Sequence, residues 1–247
     1  YGRHEDNWGE LRLEADHMGY AWCDLTRVRL EVEAAGREVW IQRANANAYG
    51  GSVSGRAQLR LPEAPSIPVA YEFDATLSNL QFAELLRALT DREAQTQRGR
   101  LSGVLRLSGF IGEGQGRTAF GEGQIRIRRG QLLDIPLFGG LSQHLSALMP
   151  GMCFLSQSDF RAGFRIRDGY VETEDAELRG DILTLSGVGR YFFDGRLQFR
   201  IEAQLLRSGA VADILRLLTS PVTRLLEFDL SGTLDRPEWT LRNLPRL

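Results

Sequence analysis

Apolar and polar residues alternate along most of this chain, and glycines stand where the alternation reverses. In the clearest segment, Leu197, Phe199, Ile201 and Leu205 are separated by arginine, glutamine and glutamate residues. Successive side chains of a strand point to opposite faces of a sheet, so this segment has one apolar face and one charged face. Repetition of the pattern predicts many consecutive antiparallel strands.

The alternation predicts a mainly β protein with about 14 strands. Asp-Gly pairs at 168–169 and 194–195 are strong hairpin signals, because glycine adopts positive φ without strain. A sheet of this size twists and curls, so we expect an elongated, curled antiparallel sheet with a taco-like groove. The main predicted strands cover 11–15, 25–34, 38–48, 52–61, 69–77, 100–110, 117–129, 160–166, 170–178, 182–193, 196–206 and 227–232.

Apolar spacing changes from two to that of a helix in three places, which predicts about three short amphipathic helices. The first follows Ser78 or Asn79, either of which can cap a helix. The second covers about 135–149, and the third begins after Ser208 and is kinked at Pro221. Residues 135–155 carry no charge, but their prolines and glycines favour a helix ending near Pro150 over a membrane span.

Composition narrows the function classes. There are 32 acidic and 30 basic residues, for a net charge of -2, and every basic residue is arginine. The balance of charge implies no polyanionic partner, and we expect no nucleic-acid binding. Absence of lysine excludes P-loop and Schiff-base chemistry. Two cysteines, Cys23 and Cys153, are too few for a disulfide framework and leave their own pairing open.

No constellation of residues predicts catalysis. The three histidines, His4, His17 and His144, lack the spacing of a metal site. Glu172 and Glu174 share one face of a predicted strand, which indicates a solvated surface. The arginines interspersed with acids at 126–129 and 161–167 indicate an exposed sheet face, with headgroup contact as the alternative. We therefore predict a non-enzymatic protein without cofactor or metal.

Several short motifs follow one another in the second part of the chain. They are GEGQIRIRRG at 121–130, LLDIPLF at 132–138, FRIRDG at 164–169, LSGVG at 185–189, DGRLQF at 194–199 and LSGTLDRP at 230–237. In this order, residues 100–247 resemble the carboxy-terminal region of the AsmA-like family, which includes TamB-type envelope proteins. The first hundred residues share only the style of the pattern.

The resemblance implies a periplasmic domain of the cell envelope, with residues 1–247 forming a single β-groove domain within a longer chain. It implies phospholipid transport between the inner and outer membranes and a part in outer-membrane biogenesis. The expected partners are phospholipid acyl chains and an outer-membrane barrel protein. The expected anchor in the inner membrane is a segment that this chain does not contain.

An apolar face inside a curled sheet can cover acyl chains, which predicts a lipid groove. The candidate residues are Phe160, Phe164, Ile166, Leu183, Leu185, Leu197, Phe199, Ile201 and Leu205. The alternative for them is an ordinary protein core with the helices packed over the sheet. The alternative function is a scaffold that assists outer-membrane protein assembly through an exposed sheet edge.

Overall fold

The fold is seen in a computed structural model that describes residues 8–20, 23–64, 67–90, 99–111, 118–132, 136–148, 158–167, 169–181, 183–205 and 225–242. These ranges form one antiparallel sheet of 13 strands, in which each strand pairs with the next one along the chain. The prediction of a mainly β, antiparallel fold is confirmed. Tight turns place many of the consecutive strands side by side, whereas the connections at 82–99, 131–157 and 206–224 are much longer.

The strands cover most of the predicted segments, with ends that differ by a few residues. They are β1 (Trp8–Tyr20), β2 (Cys23–Ala35), β3 (Glu38–Ala48), β4 (Gly51–Arg60), β5 (Val69–Gln81), β6 (Arg100–Ile111), β7 (Phe120–Gly130), β8 (Ser158–Arg167), β9 (Tyr170–Arg179), β10 (Leu183–Phe192), β11 (Leu197–Leu205), β12 (Leu225–Gly232) and β13 (Pro237–Leu241).

Two of the three predicted helices lie in the described residues. Helix α1 (Phe82–Thr90) begins later than predicted, because β5 continues to Gln81, whose backbone N–H donates to the carbonyl of Tyr49 at 2.7 Å. Asn79 is therefore not a helix cap but a strand residue with φ of 58°. Helix α2 (Gly139–Leu148) follows a 3₁₀ turn at Pro136–Phe138. The third predicted helix, 208–225, lies outside the described residues except at its end, where Leu225 opens β12.

Contacts divide the chain into two compact units. The amino-terminal unit comprises Tyr1–Ala94, Leu101–Gln124 and Arg165–Gly169, and the carboxy-terminal unit comprises Gln95–Arg100, Ile125–Phe164 and Tyr170–Leu247. The prediction of a single domain over residues 1–247 stays a prediction.

The carboxy-terminal unit has a packed core. Phe228, Leu141 and Leu183 are at most 1% exposed, and they bring together β12, α2 and β10. Trp239 of β13 contacts the rings of Phe228 and Phe138, and its indole N–H donates to the carbonyl of Leu137 at 2.7 Å. Helix α2 and its preceding turn thus lie against the end of the sheet, as an amphipathic helix over an apolar face should.

Candidate functional site

The amino-terminal unit has one charged sheet face held together by pairs between strands. Asp74 of β5 accepts hydrogen bonds from Arg106 of β6 and Arg56 of β4, each at 2.8 Å. The hydrogen bond from Arg106, and then that from Arg56, hold the pKa of Asp74 below its usual range. Glu38 likewise accepts from Arg60 across β3 and β4. Opposite charges at neighbouring positions on adjacent strands stabilise this face of the sheet.

The other face of the same strands is apolar. Reading across from β2 to β5, the neighbours Leu30, Ala44, Gly55 and Ala75 stand in one row. The next row towards the end of β4 comprises Val32, Ile41, Ala57 and Phe73. Small residues therefore occupy the middle of the face, and larger ones stand beside them.

Small residues leave a cavity on this face. Its volume is about 230 Å³, it is open on one side, and almost all of its surface is apolar. We call it the β2–β5 trough. Its apolar lining consists of Leu25, Val28, Leu30, Ile41, Ala44, Ala46, Val53, Gly55, Ala57, Phe73 and Ala75.

Three irregularities in strand pairing lie beside the trough. The register of β3 against β4 shifts between Ile41 and Ala44, and that of β2 against β3 shifts between Thr26 and Arg29 and again between Glu31 and Val32. Arg27, within the second shift, has φ of 51°. Extra residues of this kind bend a strand and increase its twist. These register shifts lie in the strands that line the trough.

Val28 and Ala46 of the trough are buried, whereas its larger side chains are only partly covered by the described part of the protein. Leu30, Ile41 and Phe73 are half-buried, and Leu11 on the neighbouring β1 is 59% exposed. Three of the six buried apolar residues described in this unit are alanines. The six are Val28, Ala46, Ala48, Leu80, Leu101 and Ala119. Within the described ranges of the amino-terminal unit, part of this apolar face is therefore not covered.

The predicted groove residues lie elsewhere. Leu183, Leu185, Leu197 and Ile201 are between 1% and 7% exposed, and they belong to the packed core of the carboxy-terminal unit. Their burial is what the alternative interpretation, an ordinary core, requires. Their contact with lipid stays a prediction.

The other five candidates are less covered or less defined. Phe160, Phe164 and Phe199 are half-buried in the carboxy-terminal unit, whereas Ile166 is half-buried and belongs to the amino-terminal unit. Leu205 ends β11, but its side chain lies outside the described residues. The register of β10 and β11 places Leu183, Leu185, Leu197, Phe199 and Ile201 on one face of the sheet. The lipid site that the nine candidates were expected to form stays a prediction.

Polar residues singled out in the sequence have ordinary partners. His17 pairs with Asp24, and the Nε2–H of His144 donates to the carbonyl of Trp239 at 3.2 Å. Glu172 pairs with Arg190, and Asp175 accepts from the backbone N–H of Gly163. Arg126, Arg128, Arg129, Arg161, Arg165 and Arg167 are exposed.

Two searches of the described ranges concern metals and membranes. No group of three or more His, Cys, Asp or Glu residues there could hold a metal ion. None of the helices described has the length and apolarity needed to cross a bilayer. Cys153 lies outside those ranges, so its pairing with Cys23 stays open.

Sequence reasoning missed the trough, although a signal was present. Ala44, Ala46, Gly55, Ala57 and Ala75 are all small and all fall on the apolar phase of their strands. Small side chains at consecutive inward positions of adjacent strands leave space, whereas large ones fill it.

Comparison with known proteins adds no assignment, since no family model, curated protein or solved structure matches the chain.

Proposed function

We propose that the amino-terminal unit is a non-enzymatic lipid-binding module whose β2–β5 trough holds an acyl chain. The observation that carries this proposal is the apolar cavity of about 230 Å³, open on one side and lined by four adjacent strands. An apolar surface left uncovered by the protein is stabilised by an apolar ligand.

Trough chemistry suits an acyl chain better than a compact polar ligand. Each methylene moved from water into such a site contributes about 0.8 kcal/mol. The trough wall offers almost no polar atom to fix an orientation, so binding is spread over many equivalent contacts. A ligand held in this way can slide along the surface. Selectivity would then be for acyl chains as a class rather than for one headgroup.

The biological setting that we propose is phospholipid transport between the membranes of a cell envelope. The ordered motifs of residues 100–247 support it through their resemblance to the AsmA-like family. In this proposal the protein works in the periplasm, anchored in the inner membrane by another segment of a longer chain.

The test compares two variants of β5, one with a new charge on the trough face and one with a new charge on the opposite face. Ala75 lines the trough, and the adjacent Thr76 is exposed on the other face of β5. We expect purified protein to carry extractable phospholipid and to bind a fluorescent fatty-acid probe. Ala75→Asp should weaken probe binding by about tenfold or more, because a carboxylate beside an acyl chain is costly to desolvate. Thr76→Asp should bind as the wild type does.

Three outcomes would reject the proposal. They are a clean lipid extract with no probe binding by the wild type, equal binding by both variants, and loss of binding in Thr76→Asp alone. Circular dichroism of each variant separates loss of binding from loss of folding.

A scaffold function is the second candidate, and one feature favours it. Strand β1 stands at one edge of the strand order and is 13 residues long. Edge strands can accept a strand from another protein. A scaffold would bind a purified outer-membrane barrel protein, keep that binding in Ala75→Asp, and carry no lipid. Lipid in the wild-type protein and no barrel binding would reject it.

A further inference from the structure

Strand β1 is an edge of the sheet in the described part of the chain. It is 13 residues long, from Trp8 to Tyr20, and it pairs on one side only, with β2. Its register against β2 does not shift along that length, and it contains no proline. Short length, proline and bulges are common means of protecting an edge. This edge therefore keeps the geometry that can accept a further strand.

The apolar side of the edge is open within the described residues. Leu11, at 59%, is the most exposed large apolar side chain in those ranges, and it stands opposite the half-buried Val32 of β2. Leu13 and Ala15 follow on the same face and are half-buried. A strand added beside β1 would place its own apolar side chains against these three, as β2 does on the other side.

The polar face of β1 carries two carboxylates without a partner among the described residues. Arg12 and Glu14 each pair with a residue of β2. Glu10 and Asp16 are exposed and have no ion pair or side-chain hydrogen bond there. Glu10 also stands opposite Glu33 of β2, and like charges at opposite positions destabilise a pair of strands. A cation beside Glu10 would offset this repulsion.

Acidity extends over the whole beginning of the chain, including the residues that the structure leaves undescribed. Residues 1–20 contain five acids and two arginines, for a net charge of -3. The other 227 residues contain 27 acids and 28 arginines, for a net charge of +1. Like charge opposes the pairing of β1 with β1 of a second copy, whereas it favours a basic strand.

We propose that the β1 edge binds an extended, basic segment of another protein by adding it to the sheet as a strand. Backbone hydrogen bonds to β1 would supply affinity, and alternate side chains would supply specificity. Cations six residues apart on one face of the segment would lie beside Glu10 and Asp16, and apolar residues on its other face would cover Leu11.

This interaction goes beyond acyl-chain binding and does not depend on it. The trough is lined by β2 to β5, not by β1. The proposal also states the partner chemistry that a scaffold function leaves open, because it commits to a basic strand rather than to any strand.

The test uses the full chain and labelled heptapeptides, with binding measured by fluorescence anisotropy. The basic peptide Arg-Leu-Thr-Val-Thr-Leu-Arg carries its arginines six residues apart on one face and apolar side chains on the other. Two control peptides replace both arginines with glutamate or the central valine with proline. We expect the wild type to bind the basic peptide at least about tenfold more tightly than either control, because like charges repel and proline disfavours a paired strand.

Charge reversal at the edge should invert the preference. Glu10→Arg/Asp16→Arg should bind the basic peptide at least about tenfold more weakly than the wild type and should prefer the glutamate peptide. The matched control is Glu72→Arg/Glu202→Arg, which makes the same change in net charge at exposed positions of the inner strands β5 and β11. That control should bind as the wild type does. Circular dichroism checks that each variant is folded.

Several results would overturn the proposal. They are no binding of the basic peptide by the wild type, equal binding of either control peptide, and unchanged binding by the edge variant. Concentration-dependent dimerisation of the wild type that the edge variant abolishes would also overturn it, since a second copy would then occupy the edge. Ala75→Asp should bind the basic peptide as the wild type does, so a failed trough and a failed edge give different results.

Discussion

Gly55 of β4 lies opposite Ala75 of β5 in the strand register, and both residues line the trough. Glycine has no side chain, and the methyl group of alanine extends only a short way from the sheet. At the equivalent positions in a packed sheet, larger side chains would meet a covering layer. The pair therefore marks a place where the described residues leave this apolar face open.

Filling the trough should block the ligand without harming the fold. Ala44→Leu adds an apolar side chain to space that is empty, so it should weaken acyl-probe binding by about tenfold while stability changes by less than ~1 kcal/mol. Ser52→Leu is the control, because Ser52 is exposed on β4 and does not line the trough. Probe titration and thermal unfolding measure both effects. Undiminished binding by Ala44→Leu would show that the ligand lies elsewhere.

The two apolar faces should respond differently to truncation. Phe228→Ala removes a side chain with 0% exposure and should cost about 3–5 kcal/mol of unfolding free energy. Leu11→Ala removes one that is 59% exposed and should cost less than about 1 kcal/mol. Denaturant unfolding followed by circular dichroism compares the two. A cost at Leu11 as large as that at Phe228 would mean that the amino-terminal face is covered after all.

Much of the strand pattern could be predicted because its causes are local. β3 has the predicted bounds, Glu38–Ala48, and the predicted turn at 194–195 has Gly195 at φ of 93°. The start of α1 could not, since Leu80 fits a helical apolar face and a buried strand position equally well. Pairing of Gln81 with Tyr49, far away in sequence, decides for the strand.

The open face could not be assigned from alternation alone. Val28, Leu30 and Val32 follow the same period as Leu197, Phe199 and Ile201. Their burial differs only in part: Val28 is buried and Leu30 and Val32 are half-buried, whereas Leu197 and Ile201 are buried and Phe199 is half-buried. Such differences depend on contacts distant in the chain. The period of the apolar residues predicts which face of a strand is apolar. The sizes of the side chains on neighbouring strands predict whether that face is filled or leaves a cavity.

Acid should weaken the carboxy-terminal unit through Glu177. This carboxylate is 14% exposed and accepts hydrogen bonds from Arg179 at 2.6 Å and from Arg161. The bond from Arg179, and then that from Arg161, hold the pKa of Glu177 below its usual value of 4.5. A lowered pKa stabilises the fold above that value, and the contribution is lost as the pH falls through the folded-state pKa.

Glu177→Gln should therefore reduce the acid dependence of stability. Its loss at neutral pH should be about 0.2–1 kcal/mol, and the gap between variant and wild type should close as the pH falls through the folded-state pKa of Glu177, which lies below 4.5. Unfolding midpoints measured from neutral to acid pH give the comparison. A gap that stays constant at every pH would mean that the charge of Glu177 contributes nothing.

Two adjacent glycines of α2 offer the sharpest test of the carboxy-terminal packing. A Cβ added at Gly140 would come within 2.8 Å of Cδ1 of Trp239, whose ring is held by Leu137 and two aromatic neighbours. A Cβ added at Gly139 would meet nothing within 4 Å. Gly140→Ala should therefore cost about 1–3 kcal/mol and shift the tryptophan fluorescence. Gly139→Ala should cost nothing and could add up to ~1 kcal/mol, because alanine favours the helix. Equal effects of the two substitutions would show that α2 does not pack on Trp239.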